Sequence, residues 1–245
     1  MEDEEYKELH EEAADQDNML TRPLKNSRVS LNDKEDWNFD SYLLKDQTKV
    51  MEYQYKSHNR ILSIDLCRSD ISRLNAGSQF NDKIINFYLK YLEQEVIAES
   101  VKSKIFICNS YFYQKLTQKG DIDNYKSACR WTKDIDILSK DFIIIPICEK
   151  AHWWVAVICY PYAIFKNAIE FHRLKKVSYS KRSNLIFLTS AETRPEEFEK
   201  AEYVLKQYIK FEYMLRNDSN NSIIEKYEGY NKEFVVWIPK VCNKT

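Results

Sequence analysis

Six cysteines, at 67, 108, 129, 148, 159 and 242, and four histidines are the side chains of this 245-residue chain with the readiest chemistry. Two uses compete for such a set, metal binding and nucleophilic catalysis. No two cysteines stand in C-x-x-C spacing and the histidines lie far apart, so a structural zinc site is not expected. A thiol nucleophile has stricter needs. Near its ordinary pKa of about 8.5 it is mostly protonated at neutral pH, and it needs a nearby imidazole, usually with a helix N-terminus, to become a thiolate. The imidazole in turn needs a carboxylate to fix its tautomer and orientation. His152 stands directly before an apolar run, a place where a histidine often serves structure alone, and no Asp occurs between it and Arg216. With only three glycines, at 77, 120 and 229, the chain has no G-x-G-x-x-G motif and no phosphate-cradling loop.

The bulk composition narrows the partners. Net charge is −1 with 31% charged residues, so nothing in the overall balance points to nucleic acid or an anionic membrane. The opening "MEDEEYKELHEEAADQD" has no apolar core behind a basic start, and no stretch approaches the roughly 18 apolar residues of a spanning helix. The expected compartment is the nucleus or cytoplasm, where disulfides are not expected and most thiols act as small core residues.

The elements that must position any site fall into a tail and one domain. Residues 1–49 are polar and acidic with scattered apolar residues, which predicts a largely disordered N-terminal tail. Residues 50–245 read as a single domain. "DKIINFYLKYLEQEVIAES" spaces Ile85, Tyr88, Leu89, Leu92 and Val96 as a helix, with Asn81 or Asp82 as its cap. "KIFIC" reads as a short buried strand, followed by a helix through "SYFYQKL" that Asn109 can cap. "FIIIPIC" and "WWVAVICY" read as adjacent central strands. The stretch from 162 to 184 is rich in Lys, Arg, Ser and Asn and reads as a basic insertion loop. "LIFLTS" is a further strand. Pro195 suits the first position of a helix that Glu196 and Glu197 favour, with Phe198, Ala201, Leu205, Tyr208 and Glu212 along one side to about Arg216. "FVVWIP" is the last strand. The sum is α+β, a central mixed sheet flanked by helices.

Four of these stretches, in order, carry a resemblance. "LNAGSQFNDKIINFYLKYL", "IFICNSYFYQKL", "RWTKDIDILSKDFIIIPI" and "AHWWVAVICYP" resemble the catalytic domain of the Ulp and sentrin-specific (SUMO) cysteine proteases, and the long break after the last resembles the branch with insertions in that domain. The resemblance spans about residues 58–245. It implies a papain-like fold of the ubiquitin-like-protease type, removal of SUMO or a related modifier from its conjugates, and a site of Cys, His, Asp and an oxyanion-supporting Gln. No cofactor is implied, because side chains and water suffice. The oligomeric state stays open.

Carried over residue by residue, the resemblance gives an incomplete site. His152 holds the place of the base. Thr189, in "LIFLTSAE", takes the place of the Asp, and can bond an imidazole but brings no charge. Glu170, at a similar distance from His152, is the one tempting alternative acid, and its surroundings do not read as a strand ending at a site. Val241 falls where the Gln would be, and loss of one oxyanion donor costs roughly 10²–10³ in rate. The nucleophile segment has the form P-x-Q-x-N-x-S-D-C-G, onto which "PKVCNKT" sets Pro239 and Asn243, with Thr245 in place of the Ser. The catalytic Cys is therefore expected beyond Thr245, in a C-terminal part this chain lacks. Cys242 lies five positions short of that place. Without its nucleophile such a site loses a factor on the order of 10⁶, so the chain as written is expected not to cleave. For modifier binding the resemblance implies Trp153 as one wall of a tunnel for the modifier's Gly-Gly tail, with Gln79 where the other wall is usually aromatic. Asp82 matches a position that contacts the modifier, with helix capping as its equal alternative; Trp131 and Asp136 match positions facing the modifier, with filling of the core as the alternative for Trp131. A non-catalytic protein that binds SUMO is the alternative to a protease.

Overall fold

The computed structural model describes residues 45–57, 60–118, 121–174, 182–190, 195–217 and 235–239, so residues 1–44 of the expected tail and residues 240–245, Val241 among them, lie outside the described residues. Backbone contacts divide the chain into two compact units, Met1–Val96 and Ile97–Thr245.

In the first unit, β1 (Lys49–Ser57) pairs antiparallel with β2 (Arg60–Cys67). Tyr55, Ile64 and Leu66 are buried together with Ile84 of α1 (Asp82–Tyr91). Asn81 caps α1 by accepting the Ile84 N–H at 3.1 Å, and its amide donates to the buried Asp70 carboxylate at 2.7 Å. Asp70 also accepts the Cys67 N–H at 2.8 Å. One asparagine thus satisfies a helix end and a buried acid together. Asn81→Ala is expected to cost about 1–2 kcal/mol, measured by urea unfolding. The helix differs from its expected stripe. Ile84 and Phe87 pack on the hairpin, while Tyr88 and Val96 are exposed, and the last turn, Leu92–Val96, widens to π-type hydrogen bonding that rotates the following residues.

The second unit is built on a mixed sheet in the order β3 (Ile105–Ile107), β4 (Phe142–Glu149), β5 (His152–Cys159), β6 (Asn184–Leu188), β7 (Val235–Trp237). The β4–β5 and β5–β6 pairs are antiparallel, and the two outer pairs are parallel. Besides a single helical turn at Glu99–Lys102, its α-helices among the described residues are α2 (Phe112–Thr117), α3 (Asp121–Trp131), α4 (Ala163–Leu174) and α5 (Pro195–Arg216). The α+β expectation therefore holds. Side chains alternate along a strand, so one face of the sheet gathers Ile143, Ile145 and Ile147, Trp154, Ala156 and Ile158, and Leu185 and Phe187. All are buried against Phe112 of α2, Ala128 of α3, Phe165 of α4 and Phe198, Leu205 and Tyr208 of α5.

Asn109 accepts the Tyr111 N–H at 3.0 Å and so turns the chain into α2, with Tyr111 at the cap position itself. The loop expected across 162–184 is not what forms, because Ala163–Leu174 is helix. Ile164, Phe165 and Ala168 are buried on its inner side, and Phe165 stacks on Tyr213 of α5 with ring centroids 4.0 Å apart. That apolar repeat outweighs the basic residues between, of which Lys166 simply points to solvent.

Candidate functional site

The site forms where β4 turns into β5. Lys150 and Ala151 make a two-residue hairpin with φ of 49° and 61°, the primed geometry that suits the twist of antiparallel strands. His152 is thereby the first residue of β5, on the same face as Trp154 and Ala156. Across the β5–β6 pair Val155 faces Leu188, so Thr189, one residue past β6, continues the row of Leu185 and Phe187 on that same face. The register therefore brings the two together, His152 Nε2 lying 3.0 Å from Thr189 Oγ1. Thr189 is buried and His152 half-buried. A hydroxyl can accept from Nε2–H or donate to Nε2, depending on the tautomer, and in either role it adds no charge.

Aromatic rings support the pair from beneath. Phe187 stacks on Phe198 at 5.1 Å, and Trp154 meets both edge-on, at 5.4 and 5.0 Å. Charged residues ring the turn. Lys150 reaches Glu197 of α5 at 2.9 Å, and Lys200 of α5 lies 3.7 Å from Glu149. Burial pushes the Glu149 carboxyl up from its ordinary pKa; Lys200 opposes this, and the charge of Glu197 adds to it. The Tyr113 phenol is raised by burial and then by the charge of Glu149. Glu149 was not among the residues expected here. With a two-residue turn, a count back from His152 in "CEKAHW" makes Glu149 its partner across the hairpin.

The other expected residues are dispersed. Trp153, half-buried, points to the opposite face of the sheet from His152 and faces Cys148 in register. Trp131 ends α3 and packs on the core, its ring 6.4 Å from Phe112. Asp136 is exposed and begins a short 3₁₀ turn, beside a cleft of about 750 Å³ shared with Tyr160, Lys166 and Arg216 at the far end of β5 from His152. Asp82 and Gln79 belong to the first unit. Asp82 is half-buried in the first turn of α1, and Gln79 is exposed, with its carbonyl accepting from Arg73 at 3.3 Å. Glu170 sits within α4 and not at a strand end. Val241 and Cys242 lie outside the described residues.

Of the described thiols in the second unit, Cys108, Cys129 and Cys159 are buried, and burial raises the pKa of the last two. Cys148 is exposed, on the face away from His152. Among the described residues no three His, Cys, Asp or Glu side chains gather as for a metal, and no helix is long and apolar enough to cross a membrane.

Comparison with known proteins gives a family. The Ulp1 protease family, C-terminal catalytic domain, matches residues 78–236. The chain is 35% identical over 127 residues to ubiquitin-like-specific protease 2 of Schizosaccharomyces pombe, covering 49% of this chain and 19% of that protein. It is 37% identical over 111 residues to human sentrin-specific protease 7, covering 40% of this chain and 11% of that protein. The chain thus spans a fifth or less of the length of these relatives. Among solved structures, that of a de-sumoylating protease is similar with a TM-score of 0.49 and 19% identity, over 78% of this chain and 64% of the other.

Proposed function

The chain belongs to the Ulp1 protease family, and from that premise we propose that it recognises SUMO or a closely related ubiquitin-like modifier, binding it without relying on hydrolysis. The observation that carries this reading is the 3.0 Å contact between His152 Nε2 and Thr189 Oγ1. It keeps the imidazole oriented as a base would be, yet leaves it without the charge that stabilises an imidazolium. Trp153 then serves as an aromatic contact for the modifier's tail, with Asp82, Gln79, Trp131 and Asp136 as further contacts. A nuclear or cytoplasmic place of action belongs to the same reading.

Hydrolysis of modifier conjugates is the second reading, favoured by the retention of His152 at the start of its strand. It needs a thiolate against that imidazole and a donor in place of Val241. Incubation with a SUMO precursor separates the two readings, since processing supports the second. For the first, Trp153→Ala is expected to weaken modifier affinity by about tenfold or more, as truncation of a central aromatic contact does. Affinities for wild type and variant that agree within error in a calorimetric titration would remove Trp153 from the interface.

A further inference from the structure

The β1–β2 hairpin and α1 of the first unit share an unbroken run of aromatic rings. Tyr55 stacks on Tyr53 with ring centroids 6.3 Å apart, Tyr53 meets Phe87 edge-on at 5.3 Å, Phe87 stacks on Tyr91 at 6.4 Å, and Tyr91 stacks on Tyr88 at 6.3 Å. The run begins in the core and ends in solvent, with Tyr55 6% exposed, Tyr91 40% and Tyr88 54%. Its buried end holds a cation. The Lys90 ammonium lies 5.4 Å from the Tyr55 ring centroid and donates to Glu93 at 2.8 Å, so a ring, a cation and a carboxylate form one set. The exposed end repeats two members of that set. Tyr88 and Tyr91 supply the rings, and the exposed Glu95 supplies the carboxylate, held to the same run by the Tyr53 hydroxyl, which donates to it at 3.3 Å. Lys90 and Glu93 neutralise each other, and among the described residues no lysine or arginine pairs with Glu95. The exposed end therefore carries a net negative charge beside two open rings.

We propose that Tyr88, Tyr91 and Glu95 form a docking site for an arginine-bearing segment of a partner protein. The charge of the site selects a cation, and the rings select which one. A guanidinium is planar and weakly hydrated, so it lies over a tyrosine ring while its fork of N–H groups donates to a carboxylate. An ammonium is a strongly hydrated point charge and gains less from an open ring. The Lys90 set shows that this run of rings accepts a cation beside a carboxylate, and Glu95 offers the same combination where a partner can reach it. The three residues belong wholly to the first unit and share nothing with His152 or Thr189. The acidic opening of the chain is the rival for any basic segment, with Glu2, Asp3, Glu4 and Glu5 in succession. Local aromatic contact separates the two, because that stretch of acids contains no ring.

The test is a titration of the full chain, with ¹³C-labelled tyrosine rings and at low salt, by a short peptide alternating arginine and glycine. The same peptide with citrulline, which keeps the shape of arginine without its charge, is the comparison. The Tyr88 and Tyr91 signals, assigned by their loss in Tyr88→Leu and Tyr91→Leu, are expected to move and saturate with the arginine peptide and to stay in place with the citrulline one. Tyr88→Leu and Glu95→Gln are each expected to weaken the arginine peptide by about two- to fivefold, the range for a cation on an exposed ring. Both positions are exposed, so neither change removes a core contact. Ring signals that stay in place while the peptide binds would overturn the proposal and assign the binding to the acidic opening. Equal affinity for the citrulline peptide would overturn it as well, since the site would then take apolar or neutral groups. So would ring signals that shift on dilution of the chain alone and ignore the peptide, which would assign the rings to a second copy. No modifier enters the measurement, so its outcome is independent of the proposed function.

Discussion

Glu212→Ala is expected to lower the stability of the second unit by about 3–5 kcal/mol, the cost of leaving a buried charge without its partner. Glu212 is fully buried on α5 and gathers three donors. The Tyr208 hydroxyl donates to it at 2.8 Å, Arg216 Nε donates at 2.9 Å, and the Thr132 hydroxyl makes a further hydrogen bond. Arg216 also donates to the Thr132 carbonyl at 2.9 Å, which ties the end of α5 to the residue following α3. Truncation takes the charged acceptor from a guanidinium and two hydroxyls at once, leaving Arg216 only the Thr132 carbonyl and the Thr132 and Tyr208 hydroxyls only neutral partners such as each other at 3.2 Å. Glu212→Gln keeps the volume and one acceptor and is expected to cost less than the alanine. Urea unfolding followed by tryptophan fluorescence measures both. A loss below 1 kcal/mol for Glu212→Ala would mean that the network contributes little.

Phe187→Ala is expected to have an effect of similar size by a different route. Phe187 is completely buried, stacked on Phe198 and edge-on to Trp154, so its removal opens a cavity beneath β5 and β6 that rigid neighbours cannot fill. Such truncations cost about 3–5 kcal/mol. The position also matters for the site, because Thr189 follows Phe187 by two residues on the same face. Loss of stability in urea should therefore be accompanied by a change in the His152 imidazole resonances. A destabilised variant with those resonances unmoved would show that the aromatic layer supports the core but does not set the site.

How much of this was legible in the sequence depended on whether one signal dominated locally. α5 could be read from Pro195, the two glutamates behind it and the apolar row ending at Glu212, and it runs from Pro195 to Arg216 as those residues require. β4 and β5 could be read from uninterrupted apolar runs. The β1–β2 hairpin was missed although its alternation is plain, Tyr53 and Tyr55 turning inward between Glu52, Gln54 and Lys56. Charged residues fill the solvent face of this half-buried strand and dilute its apolar signal. The same dilution hides α4, where Lys166, His172 and Arg173 stand among the apolar residues. Composition spoke louder than the spacing of Ile164, Phe165 and Ala168.

The site was legible only through resemblance. His152 and Thr189 stand 37 residues apart, and nothing in local periodicity joins them. Their meeting depends on the register of β5 with β6, which a motif frame carries and propensity does not. Glu149 shows the reverse case. No motif pointed to it, yet the two-residue turn makes it the partner of His152 by counting alone.

The most direct measurement is a calorimetric titration of mature SUMO into the full chain at low salt. A saturable heat with one modifier per chain is expected. A flat titration that remains flat at high modifier concentration would contradict recognition of SUMO by this family member.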